Sequence, residues 1–137
     1  MEVTKQVTMR TCPINGLRKM LILAIEKFTD LRRPGSRDIP GNMHDGRRLK
    51  ATYQALGFDV NFDQNGSFTK DEADEAIRNF VDNMNPAVDM AGMAIMSHGD
   101  FDDGGQVIEF SDGRKANLAM GQQYSHILPD SLNSSCS

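Results

Sequence analysis

Cysteine is scarce in this sequence: 2 of 137 residues, Cys12 and Cys136, near opposite ends. That placement argues against a disulfide framework. Long apolar runs are missing too. The longest, Met20 to Ile25, is six residues, against the roughly 20 needed to cross a bilayer. The first residues, Met1-Glu2-Val3-Thr4-Lys5, contain no apolar core of a secretory signal. There is no Gly-rich phosphate loop and no internal repeat, and His44 and His126 have no partners at metal-ligand spacing. What remains is 39% hydrophobic and 25% charged, enough for one compact domain around a single core. The expectation is a soluble, cytoplasmic, mixed domain with no cofactor and no metal.

The net charge of -4 hides an asymmetry. Residues 1–58 carry eleven Lys/Arg against five Asp/Glu, whereas residues 59–112 carry two against thirteen. A basic front half is compatible with nucleic acid. However, Arg32, Arg33 and Arg37 share one loop without interleaved aromatics, and a solvated loop explains them better. No nucleic-acid or membrane partner is expected.

Residues 1–15 show no periodicity and read as a flexible leader. Leu17 to Ile25 is a short continuous apolar run of the length of a strand buried on both faces of a parallel sheet. Pro34-Gly35 and Pro40-Gly41 punctuate a long loop. From Asp45 onward Leu49, Tyr53 and Leu56 lie on one helical face, and Gly57 is placed to end that helix. Phe58, Val60 and Phe62 alternate with polar residues as a strand does. Thr69 and Glu72 form a capping box ahead of a helix with Ala73, Ala76, Ile77, Phe80, Val81 and Met84 on its apolar face, stopped by Pro86. Met90 to Met96 reads as a second buried strand. Val107–Phe110, the Asp112-Gly113 turn and Arg114–Leu118 read as a hairpin. The order strand, helix, strand, helix, strand predicts an α/β domain with a parallel sheet.

His98 follows the second buried run and precedes Gly99. Active sites of open α/β sheets collect beyond the carboxyl ends of strands. A histidine there suits general-base work because its ordinary pKa lies near neutrality. The adjoining glycine allows close approach and a backbone N–H for an oxyanion. From position alone, a hydrogen-bonded structural histidine is an equal reading.

The wider pattern decides between them. The first strand Leu17–Ile25, the loop ending Gly41-Asn42-Met43-His44-Asp45, the helix with Leu49 and Tyr53, Leu56-Gly57-Phe58-Asp59-Val60, Thr69-Lys70-Asp71-Glu72 and Ala94-Ile95-Met96-Ser97-His98-Gly99 occur in that order. This ordered set resembles the caspases, cysteine endopeptidases that cut after aspartate, over about Gly16 to Leu118, and in particular their large catalytic subunit. The resemblance implies a three-layer α/β sandwich with a mainly parallel sheet, incomplete at its C-terminal side. Residues 16–120 would form the partial domain and 121–137 a divergent polar tail. It implies His98 as the base of a cysteine–histidine dyad and Gly99 as an oxyanion-hole donor.

The family carries its nucleophile in a Gln-Ala-Cys-Arg/Gln-Gly segment following a further buried strand, and no such segment occurs in the 39 residues after His98. Without a thiolate the acyl-enzyme route has no attacking atom. Cys136, in the polar context Asn133-Ser134-Ser135-Cys136, and Cys12 in the leader are poor substitutes. The family's first aspartate-binding arginine falls on Ile39; Arg37, two residues upstream, is the nearest candidate, reaching the site if the loop is rearranged. The expectation is a large-subunit form truncated before the nucleophile and inactive by itself. It would be either a fragment of a caspase product or a homologue that modulates active caspases by pairing with their subunits in apoptosis or a related proteolysis. An exposed sheet edge and poor solubility should follow.

The competing reading is calcium. Asn61 to Glu72 fits the EF-hand loop at several positions, and Asp100 to Val107 is similar to a second loop. The first begins with Asn61 rather than Asp, the second has Ser111 where a bidentate Glu is needed, and a strand-like alternation precedes the first. Met84, Met90, Met93 and Met96 are read as core packing rather than a soft-metal or partner surface.

Overall fold

The structure, a computed structural model, describes residues 16–117. Its elements run β1 (Leu17–Ala24), α1 (Asn42–Ala55), β2 (Phe58–Phe62), α2 (Lys70–Asp82), β3 (Val88–Met96), β4 (Gly99–Asp102), β5 (Gly105–Glu109) and β6 (Lys115–Asn117). The first three strands form a parallel sheet in the order β2-β1-β3, and the last three an antiparallel sheet in the order β4-β5-β6.

The apolar run of β1 takes the central position, where both faces are covered. Met20, Leu21, Ile22, Leu23 and Ala24 are all buried, which is the burial that a continuous hydrophobic strand requires. The faces divide by alternation. Leu21 and Leu23, with Ile25 beyond them, join Ala73, Ile77, Phe80 and Val81 of α2 and the loop residues Phe28, Phe68 and Phe110 in one core. The opposite face receives α1 through Gly46, where an added Cβ would lie 3.0 Å from the Ala24 Cβ and 2.8 Å from the Phe62 ring. The result is helix, sheet, helix in three layers: the strand–helix alternation predicts the parallel sheet, and the family resemblance the three layers.

Local chemistry explains the boundaries. Thr69 caps α2, its hydroxyl accepting from the Glu72 N–H at 3.1 Å. Gly57 follows α1 with φ +88°, the left-handed value that glycine adopts freely. α1 begins at Asn42, three residues before the predicted Asp45. Its expected apolar face is only partly used: Leu49 and Tyr53 are half-buried, and Leu56 is 54% exposed. The helix lies closest to the sheet at Gly46, near its N-terminal end, so Met43 and Gly46 are its buried positions.

Two further expectations need correction. The run Met90–Met96 does form a strand, but Met90 and Met93 are 41% and 38% exposed rather than buried. β3 pairs only with β1, and no other described strand joins its outer edge. The hairpin expected from Val107 onward is two strands of a three-stranded sheet, because Gly99–Asp102 also pairs, antiparallel to β5. Asp100, Asp102 and Asp103 hid this strand, since aspartate is depleted in strands.

Candidate active site at the end of the parallel sheet

The carboxyl ends of β1 and β3 are tied together beside His98. The Asn42 side-chain amide donates to the carbonyls of Ile25 and Met96 at 2.7 and 3.3 Å, and the Ile25 N–H donates to Met96 at 2.9 Å. Between β1 and α1 the chain makes a loop that folds back on itself. Phe28 N–H donates to the Asp38 carboxylate at 2.9 Å, and Ile39 N–H to the Glu26 carbonyl at 2.8 Å. The Asp30 carboxylate accepts from the N–H groups of Arg32 and Arg33. These two bonds chiefly, with the Ser36 hydroxyl and the charge of Arg37 adding, hold the Asp30 carboxyl below its ordinary range.

His98 is half-buried at the turn from β3 into β4. Its ring lies against Phe28, with centroids 4.6 Å apart and planes tilted by 51°. Its Nε2 is 2.6 Å from the main-chain carbonyl of Arg37. A carbonyl can only accept, so Nε2 carries the proton and the neutral ring keeps its lone pair on Nδ1. Among the described residues nothing bonds that nitrogen. An imidazole held in one tautomer with its basic nitrogen open is the form that a proton acceptor requires.

Gly99 opens β4. The Glu109 N–H donates to the His98 carbonyl at 3.0 Å, so the next pair, Gly99 with Ile108, is the kind that exchanges no ladder bonds. Because β4 is an edge strand among the described residues, the Gly99 N–H points off the sheet, where none of those residues bonds it. Among the described residues a Cβ there would meet only the Val107 carbonyl, at 3.7 Å, so their packing does not demand glycine. Beside these residues Ile95, Phe101, Gln106, Val107 and Ile108 help to line a shallow hollow of about 220 Å³. Asp100, next along, has its carboxyl lowered by the Phe101 N–H and by Lys115.

The structure brings Arg37 to His98 by its main chain rather than by its charge. The guanidinium pairs with the Glu109 carboxylate, so it is not open to a substrate carboxylate in this arrangement. Ile39, where the family pattern has an arginine, packs against the hydrophobic core. Cys12, Cys136 and His126 lie outside the described residues; those residues contain no cysteine. Phe28 and Glu109 touch the site yet carry no sequence motif. The one clue to Glu109 is a charge sharing the strand face of Val107, which is buried.

The calcium reading gains no support from the fold. Asn61 and Phe62 end strand β2, the turn Asp63–Gly66 follows, and a strand rather than a helix leads into it; the second candidate loop is the β4–β5 hairpin. Among the described residues no three His, Cys, Asp or Glu side chains gather as a cation site.

A sequence model of the caspase domain matches residues 17–131. The chain belongs to the caspase family. Its fold is similar to that of the Drosophila initiator caspase Dronc, with a TM-score of 0.62 at 20% sequence identity. The match covers 78% of this chain and 40% of that one. No curated protein sequence matches. The caspase assignment agrees with the resemblance carried by the ordered motifs from Leu17 to Gly99, and the similarity to Dronc extends it to the three-layer α/β fold.

Proposed function

We propose that these 137 residues supply the histidine-bearing half of an aspartate-directed cysteine endopeptidase site, do not hydrolyse peptides alone, and act by pairing with caspase subunits. The observation that carries this reading is the placement of His98, with its Nε2–H spent on the Arg37 carbonyl and its Nδ1 bonded by none of the described residues. In cysteine proteolysis the thiol proton passes to such a nitrogen. Sulfur then bonds the substrate carbonyl carbon, and the C–N bond breaks as the imidazolium returns the proton to the leaving amine. His98 can accept and return the proton, and the Gly99 N–H is available to the oxyanion. The Gln-Ala-Cys segment that would bring the sulfur does not occur in this sequence.

The outer edge of β3, which no other described strand joins, supports pairing, since such an edge is a template for another chain. A setting in cytoplasmic apoptosis, or a related regulated proteolysis, is part of the same proposal and comes from the family alone. The test uses the purified 137-residue chain with fluorogenic aspartyl peptides, alone and with an active caspase. Turnover at the buffer rate, co-purification with the caspase and a changed caspase rate are expected. An unchanged rate at saturating excess would sink the pairing claim.

A further inference from the structure

We infer that Glu109 is a positioning residue for His98, acting through Arg37. Three links meet at this one residue. Its N–H donates to the His98 carbonyl at 3.0 Å. Its carbonyl accepts from the Ser97 hydroxyl, and its carboxylate pairs with the Arg37 guanidinium. Arg37 closes the ring by accepting the His98 Nε2–H at its own carbonyl, 2.6 Å away. The imidazole is therefore held from both ends: through its main chain by β5, and through its ring by a loop that β5 also grips.

The burial of the pair shows which partner sets the other. The Glu109 side chain is 12% exposed and that of Arg37 47%. A carboxylate largely kept from water needs a cation to offset its lost solvation, and Arg37 is the cation paired with it. Arg37 sits on an exposed loop, next to Asp38 and Ile39, whose bonds anchor the segment. Without Glu109 the loop keeps its own bonds at Ser36, Asp38 and Ile39, but Arg37 loses its side-chain tie to β5. The charge on the inner face of β5 thus fixes where the loop presents its acceptor to the ring, and with it the nitrogen left free to take a proton.

The inference rests on His98 being the base of the proposed site, but its test needs no turnover and no partner. In the full chain the Nε2-bound proton of His98, assigned by its absence in His98→Ala, should give a downfield proton resonance protected from exchange with water. Glu109→Gln and Arg37→Ala, the second of which keeps the main-chain carbonyl, should each abolish that protection while the amide resonances of β1 stay in place. The exchanged pair Arg37→Glu with Glu109→Arg should restore it. Protection retained in either single variant would overturn the inference, as would failure of the exchanged pair to restore it in a chain with native amide resonances. Should Glu109→Gln not fold, Arg37→Ala decides alone, because it alters an exposed loop side chain.

Discussion

Strands β1 and β3 lie side by side in parallel and carry similar apolar runs, yet their surroundings differ. Every residue from Met20 to Ala24 is buried, whereas Met90 and Met93 stand 41% and 38% exposed. β1 has a strand on each side and a helix on each face; β3 has one neighbouring strand among the described residues. A hydrophobic run reports the environment that a strand is built for, and only its neighbours decide whether that environment is supplied. The chemistry divides in the same way. His98 and Gly99, which follow β3, are in place, while the sulfur they would serve has no counterpart among the described residues.

The difference can be broken or sharpened by substitution. The largest effect is expected at the covered strand: Leu23→Ala should cost about 2–5 kcal/mol, while Met93→Ala should stay within about 0.5 kcal/mol. Denaturant midpoints at equal m-value measure both. Equal losses would mean that β3 is as covered in solution as β1. Next comes Gly46→Ala, at about 1–3 kcal/mol, because the added methyl presses on Phe62 and Ala24 and α1 has to lift from the sheet. No loss there would place α1 further from β1 than the structure has it.

The smallest effect belongs to the solvent-facing loop. The Asp30 carboxyl titrates below its usual 3.8. A carboxyl lowered by folding stabilises the loop above its unfolded value, and that contribution is lost as the pH falls through the folded one. At neutral pH Asp30→Asn should speed amide exchange at Arg32 and Arg33. Below pH 3.8 the native chain should converge on the variant. A difference that persists at low pH would detach those amides from the carboxylate.

Much of the parallel sheet was legible because its signals are local. The run from Met20, the alternation Phe58/Val60/Phe62 and the Thr69–Glu72 cap each name their own element, and the order of motifs up to His98-Gly99 carries the family. Other features depend on the partner across a gap. Leu56 belongs to a clear helical stripe but lies past the point where Gly46 brings α1 close to the sheet. Met90 reads as core and sits on a strand with one neighbour among the described residues. β4 was hidden by its aspartates, although Asp103-Gly104 between Asp102 and Gly105 is the two-residue hairpin signal that would have revealed it. The roles of Phe28, Arg37 and Glu109 were illegible for the same reason, since the contacts that link them to His98 and to one another join segments up to 72 residues apart.

The central claim is that these 137 residues hold a proton acceptor without the sulfur it serves. A thiol-directed covalent probe carrying aspartate tests it most directly, with an active caspase labelled in parallel. We expect no labelling of this chain that depends on His98. Labelling that disappears in His98→Ala would mean that a cysteine of this sequence completes the dyad, and would contradict the claim.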